Sequence, residues 1–359
     1  MTEPASSRPA LRILMVGAGR RAQNNFLPVL TYLSQNHRIE IVGINARTAE
    51  RLLPVAERWG VRAVHSIQDV DLASVDAVAV SVPTAQNAPV LQSLASHGSH
   101  LSLIVDTPIA WNRRELGAIG PLIAKFRRVL VAEDYMNFPQ FQLIRRAVQS
   151  GLIGDLRGVT LYNIGFLYHG LALIRSFCGF GYARTTWRRN TNSFGNIVGY
   201  KFKGGYEGIV IGPYRKHETG GITVIGSKGV LTDFPGDVGF AKPGERAIYP
   251  LNYHRDENGV ITGISLDGAG DPFVLELPEI VAMAKMNFDD KSDLNLLRGC
   301  GLMQVFRALE DPENLNCHYG AQNAFYDSFA SRLAGHNRLP VDPLAYFGSN
   351  AVNLLRKIS

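Results

Sequence analysis

The residues whose types and spacing carry the most chemistry lie near the N-terminus, in "LRILMVGAGRRAQNNFLPVL" from Leu11. Gly17, Gly19 and Ala22 there make the pattern G-x-G-x-x-A. The first glycine of such a pattern permits a tight turn, the second lets the backbone approach a pyrophosphate, and a small third residue lets a helix pack closely on a strand. Phosphates then rest at the helix N-terminus, where free N–H groups and the dipole favour negative charge. Arg20 and Arg21 fall inside the same turn and join the candidate cofactor-binding residues. An ordinary glycine turn between strand and helix leaves the same trace, so the elements around it have to decide.

Those elements agree with the nucleotide reading. The apolar run Ile13 to Val16 reads as a short buried strand, "IEIVGIN" (39–45) as a second and "VDAVAVSVP" (75–83) as a later one, with "TAERLLPVAERWG" helical between them. Strands alternating with helices predict an α/β fold with a parallel, doubly wound sheet.

The end of the second strand bears on which dinucleotide is held. A carboxylate there would bind the hydroxyls of an unphosphorylated adenosine ribose. The chain instead has Asn45, 23 residues past Ala22, followed by Arg47 and Thr48. A neutral residue with a nearby guanidinium and hydroxyl suits a 2′-phosphate, which favours NADP(H), with NAD(H) as the alternative. The competing reading makes Thr48 a helix cap and Arg47 a solvated side chain.

Composition narrows the partners. The 359 residues exceed what one ordinary core fills, so about two domains are expected. With 46% apolar and 19% charged residues the chain reads as globular. A net charge of +6, spread along the chain, does not indicate nucleic acid. Arg184, Arg188 and Arg189 form a local cluster that reads either as an anion site or as solvated surface. Cys178, Cys300 and Cys317 have neither C-x-x-C nor metal-finger spacing, and are expected to be reduced thiols. No metal is expected: there is no H-E-x-x-H, and His97 and His100 lack acidic or thiol neighbours. "MTEPASSRPA" lacks a signal-peptide apolar segment, and no stretch reaches the ~18 apolar residues of a membrane span, so a cytoplasmic location away from membranes is expected.

At this point the chain resembles the Gfo/Idh/MocA oxidoreductases, the glucose–fructose oxidoreductase and inositol dehydrogenase group. The resemblance rests on "VGAGRRA", "VDAVAVSVPTAQNAPVLQSLASHGSHL", "VDTPIA", "VLVAEDYMNFPQFQLIRRAVQSGLIGDLR" and "GGITVIGSKGVL", in that order along most of the chain. It implies an N-terminal Rossmann domain (10–132), a C-terminal α/β domain with a large open, mostly antiparallel sheet (133–340) and homo-oligomerisation through that sheet. A last helix (341–359) would pack back on the first domain. It also implies a small-molecule substrate and a cofactor cleft that includes Val82, Pro83, Asn87, Asp106, Thr107 and Pro108.

Against the family pattern, three positions depart. Asp106-Thr107-Pro108 stands where the family usually has Glu-Lys-Pro, whose lysine is implicated in substrate binding and proton transfer. Threonine has no ionisable group near neutral pH and a shorter reach. The family's Asp, four residues before a His on one helix face, is Gly165 here, while the histidine remains as His169. Asn87 replaces a frequent His, and its amide is expected near the nicotinamide or ribose.

Hydride chemistry belongs to the nicotinamide; the protein places the substrate and handles one proton. His169 is the candidate acid/base, with a reference pKa near ~6.5 and the family's histidine position. Tyr168 and Tyr135 are further catalytic candidates, as proton donors or substrate hydrogen-bonders. Glu133 and Asp134 read either as substrate-orienting carboxylates or as surface charges, and Arg188 as a possible substrate contact. Three functions fit: an oxidoreductase acting on a sugar, cyclitol or modified sugar; a reductase of an imine or conjugated system; or a catalytically silent NAD(P)-binding sensor.

Overall fold

Runs of apolar residues without polar alternation build strands that must be covered on both faces. Five such runs become the core of a six-stranded parallel sheet in the computed structural model, which describes residues 9–36, 38–191, 195–212, 220–233 and 247–333. Its strands are β1 (Leu11–Val16), β2 (Ile39–Asn45), β3 (Ala63–Val64), β4 (Ala77–Val80), β5 (Ser102–Asp106) and β6 (Arg128–Ala132), in the order β3-β2-β1-β4-β5-β6. Every pairing is parallel. This is the doubly wound order in which the crevice opens where the winding reverses, between β1 and β4. The expected strand 39–45 is β2 without change, and the later one is trimmed to Ala77–Val80.

Helices α1 (Leu27–Gln35), α2 (Ala49–Trp59), α3 (Asn87–Leu94) and α4 (Arg113–Ile123) make the crossovers. The helix after β1 begins with a wide π turn over Ala22–Phe26, closed by Leu27 N–H on the Ala22 carbonyl. Pro28 lacks the N–H that an α-turn needs and its ring crowds the carbonyl four residues back, which accounts for the widening just ahead of it.

From β6 the chain passes through a short turn, Tyr135–Asn137, into α5 (Pro139–Gln149). A nine-stranded sheet follows: β7 (Leu156–Tyr162), β8 (Ala183–Thr191), β9 (Gly195–Phe202), β10 (Glu207–Ile211), β11 (Gly221–Gly226), β12 (Gly229–Thr232), β13 (Ala247–Arg255), β14 (Ile261–Leu266) and β15 (Val274–Glu276). The order is β15-β14-β13-β12-β11-β7-β10-β9-β8, antiparallel except at β7·β10 and β12·β13. Alternating burial along β11 shows the two-faced pattern of such a sheet. One face carries α6 (Leu167–Ser176), α5 and α7 (Pro278–Ala284).

Two later helices return to the first sheet. Helix α8 (Asp293–Arg307) packs on the π turn and on β6, and α9 (Ala321–Leu333) on β6 and α6. The expected final helix 341–359 lies outside the described residues.

Candidate active site

Gly17 takes φ 119°, and a Cβ there would overlap the Ser81 carbonyl at the end of β4. The turn is locked to both neighbouring strands: Gly17 N–H donates to Asn45 O at 2.8 Å and Ser81 N–H to Val16 O at 2.8 Å. Gly19 is exposed, with no atom within 4 Å of where its Cβ would stand, and Ala22 is fully buried against the sheet. A glycine turn without side chains at Gly17 and Gly19, leading into a helix, fits a dinucleotide pyrophosphate.

On the ribose side, Asn45 is turned away from its expected role. It is 9% exposed, and its amide Nδ2 donates to Val64 O at 2.8 Å, because the end of β2 lies against β3. Arg47 is exposed. Thr48 holds the N-cap position of α2 with extended φ/ψ, yet its side chain makes no capping bond, so the hydroxyl is left over. Asn87 also turns inward: it is buried, and Nδ2 donates to Ile109 O at 3.0 Å, tying α3 to the turn that follows β5. Val82 and Pro83 line the loop after β4, with Pro83 exposed.

That turn after β5 holds Asp106, Thr107 and Pro108, with the Thr107–Pro108 bond cis. Asp106 Oδ1 accepts from Thr107 N–H at 3.0 Å and from Arg21 Nε at 3.3 Å, while Oδ2 accepts from the Ser81 hydroxyl at 2.9 Å. Arg21 therefore does not stand free for phosphate. Its Nη2 donates to Asp134 Oδ2 at 2.6 Å and its Nη1 to Asn25 Oδ1 at 2.8 Å. Burial alone would lower the Arg21 pKa, but the charges and hydrogen bonds of Asp134 and Asp106 outweigh it and hold the guanidinium firmly protonated.

Glu133 and Asp134, at the crossover after β6, are buried at 0% and 2% exposure, which excludes the surface-charge reading. Glu133 Oε1 lies 2.6 Å from His169 Nδ1, and Oε2 is buried without a hydrogen-bond partner among the described residues. Burial raises the Glu133 pKa, and the facing His169 draws it part of the way back. The acidic partner that Gly165 cannot supply thus arrives from another element. Gly165 itself precedes α6, which starts at Leu167, so no helical turn links it to His169.

Rings enclose the histidine. Tyr135 stacks on it at 5.7 Å between centroids and 27°, Tyr168 is tilted over it at 4.2 Å, and Phe166 meets it edge-on at 5.8 Å. Trp111 in turn sets its edge against Tyr168 at 5.9 Å. With Nδ1 engaged by Glu133, Nε2 is the ring nitrogen left to exchange a proton. Burial, then the carboxylates of Glu133, Asp106 and Asp134, raise the Tyr168 pKa, with Arg21 opposing. Burial likewise raises Tyr135 far above the ordinary phenol range, and its hydroxyl is directed at Gly220. Both phenols stay protonated near neutral pH, so neither serves as a base there.

Arg188 stands apart from this group, on the edge strand β8, where its Nε donates to Asn190 Oδ1 at 3.1 Å. His100 Nε2 is hydrogen-bonded to Leu72 O at 2.8 Å, and no cluster of metal-ligating side chains occurs among the described residues. The three cysteines are free thiols, and no helix among the described residues is long and apolar enough to cross a membrane. Ser81, Asn25 and Asn295 belong to the site's framework but carry no motif in the sequence; only their shared contacts reveal them.

Residues 11–133 match the family described as "Oxidoreductase family, NAD-binding Rossmann fold", Gfo/Idh/MocA. No curated protein matches the chain. Among solved structures, an oxidoreductase from Agrobacterium radiobacter in complex with NAD+, L-tartaric acid and magnesium superposes with a TM-score of 0.66 at 14% identity, covering 94% of this chain and 99% of its own. The myo-inositol 2-dehydrogenase of Lactobacillus plantarum gives 0.62 at 13% identity over 91% and 97%. A myo-inositol dehydrogenase from Corynebacterium glutamicum gives 0.61 at 16% over 93% and 99%. At these identities the likeness is one of fold, and it spans both sheets. The family match covers residues 11–133, the nucleotide-binding third of the chain, and the structural likeness extends a shared fold over both sheets.

Proposed function

We propose that this oxidoreductase transfers a hydride between NADP(H) and a small polar substrate of the sugar or cyclitol class, with His169 as the proton-handling residue. The observation that carries the reading is the 2.6 Å Glu133–His169 contact beside the cofactor crevice. The nicotinamide, when bound, supplies the hydride chemistry. Gly17, Gly19 and Ala22 would hold the pyrophosphate, and Arg47 with the uncommitted Thr48 hydroxyl would receive a 2′-phosphate. Val82, Pro83 and the Asp106-Thr107-Pro108 turn would border the cofactor. His169 Nε2 takes the proton from a substrate hydroxyl on oxidation, or gives it to a carbonyl on reduction, and Glu133 neutralises the imidazolium that forms. Tyr168 and Tyr135 close the site as protonated phenols.

The substrate class is supported by neighbours that are inositol dehydrogenases, and an NAD-containing neighbour supports dinucleotide binding in general. A second reading, reduction of an imine, is favoured by the three carboxylates Asp106, Glu133 and Asp134, whose charges all act on Tyr168 with Arg21 opposing, an acidic setting that suits a substrate cation. Assembly through the large sheet is supported by the alternating burial of β11; light scattering of the purified chain tests it.

The deciding experiment is a fluorescence titration with NADPH and with NADH, followed by turnover assays on polyols, ketoses and cyclic imines with the wild type and His169→Ala. NADPH binding in preference to NADH, with polyol or ketose turnover that His169→Ala lowers by about 10²-fold or more, is expected. Binding of neither dinucleotide, or undiminished turnover by His169→Ala, overturns the reading.

A further inference from the structure

Arg21, read from the sequence as a cofactor-binding candidate, is turned instead onto protein carboxylates. It stands two residues past Gly19, and its guanidinium reaches two carboxylates on two other elements: Asp106 at the end of β5 and Asp134 on the crossover after β6. Asp134 is the chain neighbour of Glu133, the partner of His169. The network continues outward: Arg21 Nη1 donates to Asn25 Oδ1, and Asn25 Nδ2 donates to Asn295 Oδ1 on α8 at 3.2 Å. Helix α8 presses on the same crossover from behind, since a Cβ at Gly301 would overlap the Asp134 carbonyl. The Asp134 side chain is 3% exposed and that of Arg21 24%. A guanidinium can bridge two carboxylates because its planar fork points donors in several fixed directions, which an ammonium cannot do.

We infer that Arg21 is a positioning residue for the proton-handling pair, bridging the cofactor-side turn at Asp106 to the crossover at Asp134 so that Glu133 is presented to His169. The inference rests on the reading of His169 as the proton-handling group. It accounts for a cation placed inside the glycine motif yet turned onto protein carboxylates. Arg21 also contributes through its charge. Among the described residues Glu133 faces His169, Asp134 and Arg21, and its field is felt by Tyr135, Tyr168, Tyr319 and Asp327. Burial raises Glu133 most, His169 draws it down, Asp134 raises it and Arg21 lowers it.

The test uses the whole chain and a readout that needs neither cofactor nor substrate: the downfield proton resonance of the His169 Nδ1–H held by Glu133, followed with pH. In Arg21→Gln the acid limb at which that resonance disappears is expected to move up by about one pH unit, because an opposing charge near Glu133 is gone. NADPH affinity should stay within about threefold of wild type, while kcat falls by roughly tenfold or more with a smaller change in KM. Arg21→Lys, which keeps the charge but not the bridge, should keep the acid limb and still lose part of kcat; it also serves if Arg21→Gln does not fold. An unmoved acid limb in Arg21→Gln, or kcat undiminished in both variants, overturns the inference. So does a loss of NADPH affinity of more than about tenfold in both variants, which would make Arg21 a phosphate ligand. A wild type that binds neither dinucleotide would overturn the proposed function instead, and the resonance would still report on Arg21.

Discussion

Glu133 Oε1 and His169 Nδ1 meet at 2.6 Å although 36 residues separate them in the chain, and the carboxylate is completely buried. In the proposed mechanism the contact leaves Nε2 as the imidazole nitrogen that handles the proton. Glu133→Gln keeps the volume but removes the charge that stabilises an imidazolium, and its amide can donate to Nδ1 and favour the wrong tautomer. We expect kcat to fall by about 10²- to 10⁴-fold with cofactor affinity unchanged. Steady-state kinetics beside an NADPH titration check this, and a loss below about threefold would remove Glu133 from the mechanism.

Gly17 combines φ 119° with a Cβ position already taken by the Ser81 carbonyl. Gly17→Ala must therefore displace the end of β4 or the turn itself. The expected outcome is a loss of at least about 1–3 kcal/mol of stability, measured by chemical denaturation, together with loss of dinucleotide binding.

Arg47 is exposed and Thr48 leaves its hydroxyl uncommitted at the start of α2. If they receive a 2′-phosphate, Arg47→Ala weakens NADPH by about tenfold or more and leaves NADH unchanged, since a charge-assisted hydrogen bond of ~1.5–3 kcal/mol is lost to one ligand only. Equal weakening of both ligands would return Arg47 to the solvated surface.

Gly301 on α8 abuts the Asp134 backbone. A methyl group there has to push the crossover toward the site, so Gly301→Ala should lower stability by about 1–3 kcal/mol and reduce kcat as well. Thermal melts and turnover, measured on the same preparation, test whether the two effects travel together.

Burial pushes the Asp233 carboxyl up to about 6 from its ordinary value, although it accepts the Ile222 N–H at 2.9 Å. A carboxyl raised on folding binds its proton more tightly in the native state. The stability it contributes is therefore present below the unfolded value of about 4 and lost as pH rises to about 6. Urea midpoints should decline over this window for the wild type, and less steeply for Asp233→Asn; identical slopes would show that Asp233 titrates alike in both states.

Local chemistry determined a good deal of this protein from the sequence alone. Unbroken apolar runs ending in Gly17-Ala18-Gly19 dictate buried parallel strands and a phosphate-ready turn, because those choices depend on near neighbours only. The family resemblance, rather than local spacing, pointed to His169, Glu133 and Asp134, yet could not separate a buried carboxylate from an exposed one. That distinction is set by what lies opposite in space. Tertiary structure alone decided that Glu133 pairs with His169 in place of the acid missing at Gly165, and that Arg21 turns to Asp106 and Asp134. It also decided that Asn45 and Asn87 spend their amides on backbone carbonyls inside the fold. A buried donor or charge must find its partner wherever packing puts one, and for these residues the partners come from other strands, turns and helices, at separations no motif spacing records.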